Sequence, residues 1–196
     1  MTREVQQPDR FLAIGVAVLV AALVVVGALP VPRFIAADKP AVPQPAPDLS
    51  EVLVVEEQTT EHVGGEVDYD QTPPTGGDHN PAWLECGVYD APVREENAVH
   101  SLEHGTIWVT HQPDLDEASI EALAAAVPAE SIVSPYDGLA TRIVVTAWGR
   151  QLAFDRADDP RLALFLAEYG DGNTAPEPLA SCAGGVTAAD SQGAEV

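Results

Sequence analysis

The chain has 196 residues, with nine lysines and arginines against 31 aspartates and glutamates, so its formal net charge at pH 7 is −22. Beyond residue 40 every cationic side chain is an arginine. Such an acidic chain repels nucleic acids and anionic lipid headgroups, which excludes both as partners. The acidic residues are dispersed, which favours a well-solvated surface over a dedicated cation-binding face.

An uninterrupted apolar run, FLAIGVAVLVAALVVVGAL, occupies residues 11–29. As a helix it would be about 28 Å long, close to the thickness of the hydrocarbon core of a bilayer. The alternative is a cleaved signal peptide, but its apolar region is shorter and ends at a small-residue cleavage site, which is not evident here. The sequence therefore predicts an uncleaved, single-pass transmembrane helix after a cytoplasmic stub at residues 1–10.

A proline-rich linker is predicted at residues 30–50, because the segment DKPAVPQPAPDLS contains four prolines and should be extended. A globular domain at residues 51–182 follows, and the small, polar tail at 183–196 is predicted to be disordered. The domain contains both cysteines of the chain, Cys86 and Cys182. An even pair beyond an anchor favours a disulfide over two buried thiols. The domain is therefore predicted to lie outside the cytoplasm, at the cell membrane.

Local patterns predict the first elements of the globular domain. An apolar run at residues 52–55 indicates a strand. Asn97 is a favourable N-cap and Gly105 a favourable C-terminal stop, which together predict a short helix at residues 98–104. Apolar and polar side chains then alternate at residues 106–111, as in a strand.

The remaining elements complete the predicted fold. Asp114 and Glu117 resemble a capping box before a second helix. Two β-rich runs on either side of the tripeptide WGR at residues 148–150 predict a hairpin. Asp159, followed by a proline, begins a last helix that ends at Gly170. The order predicts an α+β domain with a small mixed or antiparallel sheet covered by two or three helices.

Three of the five histidines lie in the segment NAVHSLEHGTIWVTH. His100 and His104 are four residues apart, so on a helix they share one face and their imidazoles could chelate one ion. Tight binding needs a third ligand, and His79, on a glycine-rich loop, is the best candidate. Glu103 and His111 come next. The sequence thus predicts a metal site with His79, His100 and His104 as ligands.

Imidazole ligands suit Zn, Cu(II), Ni or Fe(II), of which zinc and Cu(II) are our expectation, and the single methionine argues against a Cu(I) thioether site. His62 ranks last as a ligand because its surroundings have no clear pattern. A structural hydrogen-bond network and metal-free acid–base catalysis remain open as alternatives. The inverted zinc-protease motif H-x-x-E-H is disfavoured, because Gly105 and a strand end the helix at once. No catalytic residue is assigned, and whether the chain is an enzyme stays open.

Several segments together resemble a known family. They are PPTGGDH at residues 73–79, CGVYDAPV at 86–93, NAVHSLEHG at 97–105, AWGRQL at 147–152 and PEPLASC at 176–182. With these segments the chain resembles the domain-of-unknown-function 3105 family, which is found on bacterial membrane-anchored proteins. One departure is Gly77, where a proline would be expected before Asp78. The resemblance implies a shared fold and a shared histidine-centred site, but it supplies no reaction.

Two functions of different class follow from these observations. The first is a metal-binding or metal-dependent module at the outer face of the membrane, with Glu103 as an outer partner or base beside the histidines. The second is a non-catalytic module of the cell envelope, in which the histidines and tryptophans organise a surface for protein partners or a structural role.

Overall fold

The computed structural model describes residues 46–187, which form a mixed α+β fold with a six-stranded sheet and three helices. The predicted stub, the predicted span at residues 11–29, most of the linker and most of the tail lie outside the described residues. Within residues 46–187, no helix has both the length and the apolar character needed to cross a bilayer. The α+β class is confirmed for this part of the chain.

The sheet is mixed. Its strands are β1 (Leu53–Val54), β2 (Gly87–Val88), β3 (Ile107–His111), β4 (Ser131–Pro135), β5 (Ile143–Ala147) and β6 (Arg150–Phe154). The helices are α1 (Glu95–Glu103), α2 (Glu117–Ala126) and α3 (Pro160–Tyr169). The strand order is β1-β6-β5-β3-β4-β2. Strands β1, β6, β5 and β3 pair antiparallel, whereas β3, β4 and β2 pair in parallel.

The parallel half of the sheet depends on a crossover helix. Ile107 of β3 lies opposite Ser131 of β4, and His111 lies opposite Pro135. Parallel strands cannot be joined by a tight hairpin, so α2 makes the connection between them. The sequence predicts β3 and α2 but not β4. The sequence of β4 is SIVSP, in which polar and apolar residues do not alternate and a proline comes last, so it lacks the pattern that indicates a strand.

The hairpin of β5 and β6 forms where the sequence predicts it, with Trp148 and Gly149 between the strands. Gly149 has a φ of +67°, and a Cβ there would lie 2.6 Å from the backbone oxygen of Val55. The amide of Val55 donates a hydrogen bond of 2.9 Å to the Gly149 carbonyl oxygen. Glycine is therefore required, both for the turn and for its close approach to the residue after β1.

Helix α1 begins three residues earlier than predicted. Its N-cap is Arg94, which makes no side-chain cap hydrogen bond. The predicted cap, Asn97, lies inside the helix, where its side-chain amide donates to the carbonyl oxygen of Ala82 at 2.5 Å. The side chain of Asn97 therefore makes a tertiary hydrogen bond and does not cap the helix, although asparagine favours the N-cap position. The predicted stop is confirmed, because Gly105 follows the helix with a φ of +89°.

The other two helices have true side-chain caps. Asp116 caps α2 by accepting a hydrogen bond from the backbone amide three residues later. The predicted capping box of Asp114 and Glu117 is therefore wrong. The N-cap is Asp116, and Glu117 is the first residue of the helix. Helix α3 is as predicted, since Asp159 is its N-cap and Gly170 its C-cap.

The two faces of the sheet support two separate cores. Ile107 packs in one cluster with Leu123 of α2 and Phe165 of α3. Trp108 packs in the other cluster with Leu102 of α1. Successive residues of a strand point to opposite faces. Helices α2 and α3 therefore cover one face of the sheet, and α1 covers the other.

Candidate metal centre

Helix α1 presents three polar side chains on one face. His100, Glu103 and His104 are three and four positions apart, so they project from the same side of the helix. Their fractional exposures are 4%, 4% and 8%. Burying a polar or charged group is costly unless it finds a partner. This face of α1 must therefore be satisfied by other parts of the domain or by a ligand.

Two further histidines reach this face from extended segments. The His79 side chain is fully buried, and the backbones of His62 and His79 form a parallel bridge. In this bridge the amide of Val63 donates a hydrogen bond to the His79 carbonyl oxygen at 2.8 Å. The amide of His79 donates a hydrogen bond to the Glu61 carbonyl oxygen at 3.0 Å. The pairing brings the two histidine rings to a centroid distance of 4.9 Å. His62 is thus a member of the site that sequence reasoning ranked last.

The side chains converge on one point. One ligand atom from each of His62, His79, His100 and Glu103 lies within 4.8 Å of the others. His104 joins them through its Nε2 atom, 3.1 Å from the Nε2 atom of His100. We call these five residues the histidine cluster. The donor atoms of His62, His79, His100 and Glu103 could hold a metal ion, whereas His104 lies beside this group of four, in contact with His100.

Backbone carbonyl groups orient three of the rings. The Nδ1 atoms of His79, His100 and His104 lie 2.8, 2.7 and 3.2 Å from the carbonyl oxygens of Gly77, Asn80 and Ser181, respectively. A carbonyl oxygen can only accept, so Nδ1 carries the proton in each of these contacts. The neutral ring then presents the lone pair of Nε2 to the cluster. This is the tautomer that outer hydrogen bonds fix in metal-binding histidines.

Inside the cluster, acceptors face acceptors. Nε2 of His100 and Nε2 of His104 are 3.1 Å apart. Nε2 of His79 lies 3.0 Å from Oε2 of Glu103, yet it is buried and has no aligned hydrogen-bond partner among the described residues. With the protons on Nδ1, each pair brings two lone pairs together. Such an arrangement requires an additional proton or a cation between the partners.

Burial works against the extra proton on His100. Burial is the main cause that lowers the pKa of His100 to about 4, and the neighbouring rings of His79, His104 and His62 lower it further. The hydrogen bond to the Asn80 carbonyl acts in the opposite direction. Near neutral pH this ring is therefore an uncharged donor of a nitrogen lone pair, the form that binds metals.

One side of the cluster is open to water. The side chain of His62 is half exposed, whereas that of Glu103 is 5% exposed. The Trp83 ring lies 5.4 Å from the His104 ring, and the Trp148 ring lies 6.2 Å from the His79 ring. The cluster is therefore walled by indole groups and reached from the side of His62.

The C-terminal segment of the domain closes another side. Cys86 and Cys182 form a disulfide, with their Cα atoms 5.2 Å apart, as the sequence predicts. The carbonyl oxygen of Ser181, next to Cys182, orients His104. Oε2 of Glu177 lies 3.8 Å from Nε2 of His104. The disulfide thus fastens the segment that positions one member of the cluster.

The remaining candidate ligand, His111, lies elsewhere. It is the last residue of β3, and its Nδ1 atom is 2.9 Å from the Gln112 carbonyl oxygen. It does not belong to the group of potential ligands that the described residues bring together. Strand alternation places it with Ile107 on the face covered by α2 and α3, opposite to the histidine cluster.

The donor set restricts the metals that fit. Imidazole nitrogens with a single carboxylate suit zinc, Cu(II), Ni or Fe(II), whereas calcium and magnesium prefer oxygen ligands. Zinc takes four ligands, with zinc–nitrogen bonds of about 2.0–2.1 Å. A metal ion held by these donor atoms would therefore belong to the divalent transition metals.

Comparisons with known proteins identify the family. No curated protein and no solved structure matches the chain. The family model described as "Protein of unknown function (DUF3105)" matches residues 62–184. This range begins at His62 and includes every other member of the histidine cluster and both cysteines. The chain therefore belongs to the DUF3105 family, as the sequence motifs indicate.

Proposed function

We propose that this protein is a membrane-anchored, extracytoplasmic module that binds one divalent transition metal ion, zinc or Cu(II), in the histidine cluster. The observation that carries the proposal is the common orientation of three rings. His79, His100 and His104 each place Nδ1 against a backbone carbonyl oxygen and direct Nε2 into the cluster. Side chains held in this way lose little conformational entropy when they coordinate a metal, because the protein has already fixed the tautomer and the ring direction.

The buried members would supply the inner ligands. His79, His100 and Glu103 are all buried, and a metal bound to them would resolve the contact between the His79 nitrogen and the Glu103 carboxylate. Tetrahedral zinc ligands are separated by about 3.4 Å, as follows from the bond lengths. Potential ligand atoms spread over 4.8 Å therefore need only a small inward movement. The half-exposed His62 is the member most able to make it.

The proposed location rests on two features of the chain. The apolar run at residues 11–29 has the length of a membrane-spanning helix, and Cys86 and Cys182 are paired as in proteins of oxidising compartments. A protease added to intact spheroplasts should digest the globular domain. A domain that is protected until the membrane is lysed would contradict the orientation.

Metal analysis of the full chain tests the binding proposal. The chain is purified in detergent micelles, reconstituted with ZnCl₂ or CuSO₄, dialysed and analysed by mass spectrometry of the elements. We expect about one ion per chain, and Cu(II) should show nitrogen coupling in its electron paramagnetic resonance spectrum. His79→Ala and His100→Gln should lose the ion. His111→Gln is the matched control, since His111 is another buried histidine outside the cluster.

An unmodified chain that takes up no stoichiometric metal after reconstitution would overturn the proposal. So would uptake that His79→Ala and His100→Gln leave unchanged. Either result would favour the alternative function, a non-catalytic envelope module whose buried histidines have a structural role.

A further inference from the structure

A cavity lies at the C-terminal ends of the parallel strands β3 and β4. It has a volume of about 320 Å³ and is lined by residues from β3, β4, α2 and the segment after β2. Its lining is apolar in large part, with Tyr89, Ile120 and Pro135 among the contributors. Cavities that hold small ligands start at about 300 Å³ and combine apolar walls with a few polar anchors. The size and walls therefore suit a small organic molecule.

The polar anchor of this cavity is His111. Its fractional exposure is 2%, and its Nδ1 atom lies 2.9 Å from the Gln112 carbonyl oxygen. That contact fixes the proton of the neutral ring on Nδ1 and leaves a lone pair on Nε2. The Nε2 atom is buried, and within residues 46–187 it has no hydrogen-bond partner. A buried acceptor without a donor is costly, so the anchor calls for a ligand that donates a hydrogen bond.

Charged residues at the rim of the cavity favour a cationic ligand. Asp90 and Asp137 line the cavity and are exposed, and the whole chain carries a net charge of −22. Two carboxylates beside a single acceptor favour a cationic donor and repel an anionic one. We propose that this cavity binds a small organic ammonium ion. Its N–H group donates to Nε2 of His111, and its apolar body packs against the ring of Tyr89 and the proline walls.

This site is independent of the histidine cluster. His111 and Ile120 lie on the sheet face of α2 and α3, whereas the histidine cluster lies on the face of α1, where Tyr89 also packs. The lining of the cavity and the histidine cluster share no residue. Metal loading and ammonium binding can therefore succeed or fail separately.

Nuclear magnetic resonance of the full chain tests the proposal, with ¹⁵N-labelled histidine and benzylammonium chloride as the probe. His111→Gln assigns the His111 signals. We expect benzylammonium to shift the Nε2 resonance of His111 in a saturable way. Benzyl alcohol should bind at least about tenfold more weakly, because a charged donor makes the stronger hydrogen bond. Benzoate should not bind. Empty micelles correct for partition of each probe into the detergent.

Three variants sharpen the result. His111→Phe removes the acceptor and should weaken binding at least about tenfold. The double variant Asp90→Asn, Asp137→Asn changes only exposed side chains, and it should weaken binding at low salt and reduce the salt dependence of the affinity. Asp68→Asn, at an exposed carboxylate outside the cavity lining, should leave binding unchanged. A His111 signal that does not move, equal affinity for benzylammonium and benzyl alcohol, or unaltered binding by the double variant would each overturn the proposal.

Discussion

The imidazole rings of His100 and His104 face each other through their Nε2 atoms at 3.1 Å, while the Nδ1 atom of each ring lies against a backbone carbonyl oxygen. Two neutral rings in this arrangement have no proton to share. The metal-free domain therefore keeps an unfavourable contact in its interior that a bound cation would remove. In the proposed function, this local cost in stability would favour metal binding, a combination common at functional sites.

Replacing His104 by glutamine should separate stability from binding. Both His104→Gln and His104→Ala lose the hydrogen bond to the Ser181 carbonyl, but only the glutamine amide can donate to Nε2 of His100. The metal-free glutamine variant should therefore exceed the alanine variant by about 1 kcal/mol in its free energy of unfolding. Its metal affinity should fall by at least about tenfold, because one nitrogen donor is lost. Urea denaturation and competition with a chelating dye measure the two quantities. His104→Ala is the control, which should lose affinity and has no amide to donate to Nε2 of His100. Equal stability of the two metal-free variants would contradict the facing lone pairs.

The low pKa of His100 predicts the pH dependence of stability. Its folded value is about 4, against 6.5 for a free side chain. Between these values the unfolded chain binds more protons than the folded one, so the stabilising contribution of neutral His100 is complete above pH 6.5 and is lost as the pH falls towards 4. Urea denaturation of the metal-free protein across this range should show the decline, and His100→Gln should make it shallower. Identical slopes for both proteins would show that other groups control the decline.

Removing the disulfide should weaken both the fold and the metal site. Cys86 and Cys182 are separated by 96 positions, and loss of such a crosslink costs about 2–5 kcal/mol. Because Ser181 orients His104, the double variant Cys86→Ala, Cys182→Ala should also bind metal more weakly at temperatures where it is still folded. Thermal unfolding and metal titration measure the two effects. Full metal affinity in a folded, disulfide-free protein would show that the C-terminal segment does not depend on the crosslink.

His62 should contribute to binding without contributing to folding. Its side chain is half exposed, and surface substitutions typically change the free energy of unfolding by less than about 0.5 kcal/mol. His62→Ala should therefore leave the metal-free protein as stable as the unmodified one and still reduce metal affinity. The buried His79→Ala should reduce both. A His62→Ala protein with unchanged affinity would remove His62 from the ligand set.

Local signals predicted the elements whose ends depend on local contacts. Helix α3 was predicted at both ends, because Asp159 caps its own backbone and Gly170 follows the last turn. Asn97 was misassigned as a cap because its side chain bonds to Ala82, fifteen positions away. Strand β4 is not predicted because its sequence, SIVSP, has no alternating pattern and ends in a proline.

The same distinction holds for the site. His100 and His104 were identified because four residues is one helical turn, and His79 was added as a third ligand. The participation of His62 depends on its bridge with His79, a pairing between extended segments that no local pattern encodes. With only five histidines in the chain, a search for every pairing of histidines could have proposed it.

The span of sequence that contributes to the histidine cluster has a consequence for its maturation. His62 enters from one end of the globular domain, and Ser181 and Cys182 close the site from the other. A chain exported from its N-terminus delivers His62 first and the closing segment last. The site proposed here would thus be completed only after the whole domain had crossed the membrane. It would then acquire its ion from the external supply and not from the cytoplasm.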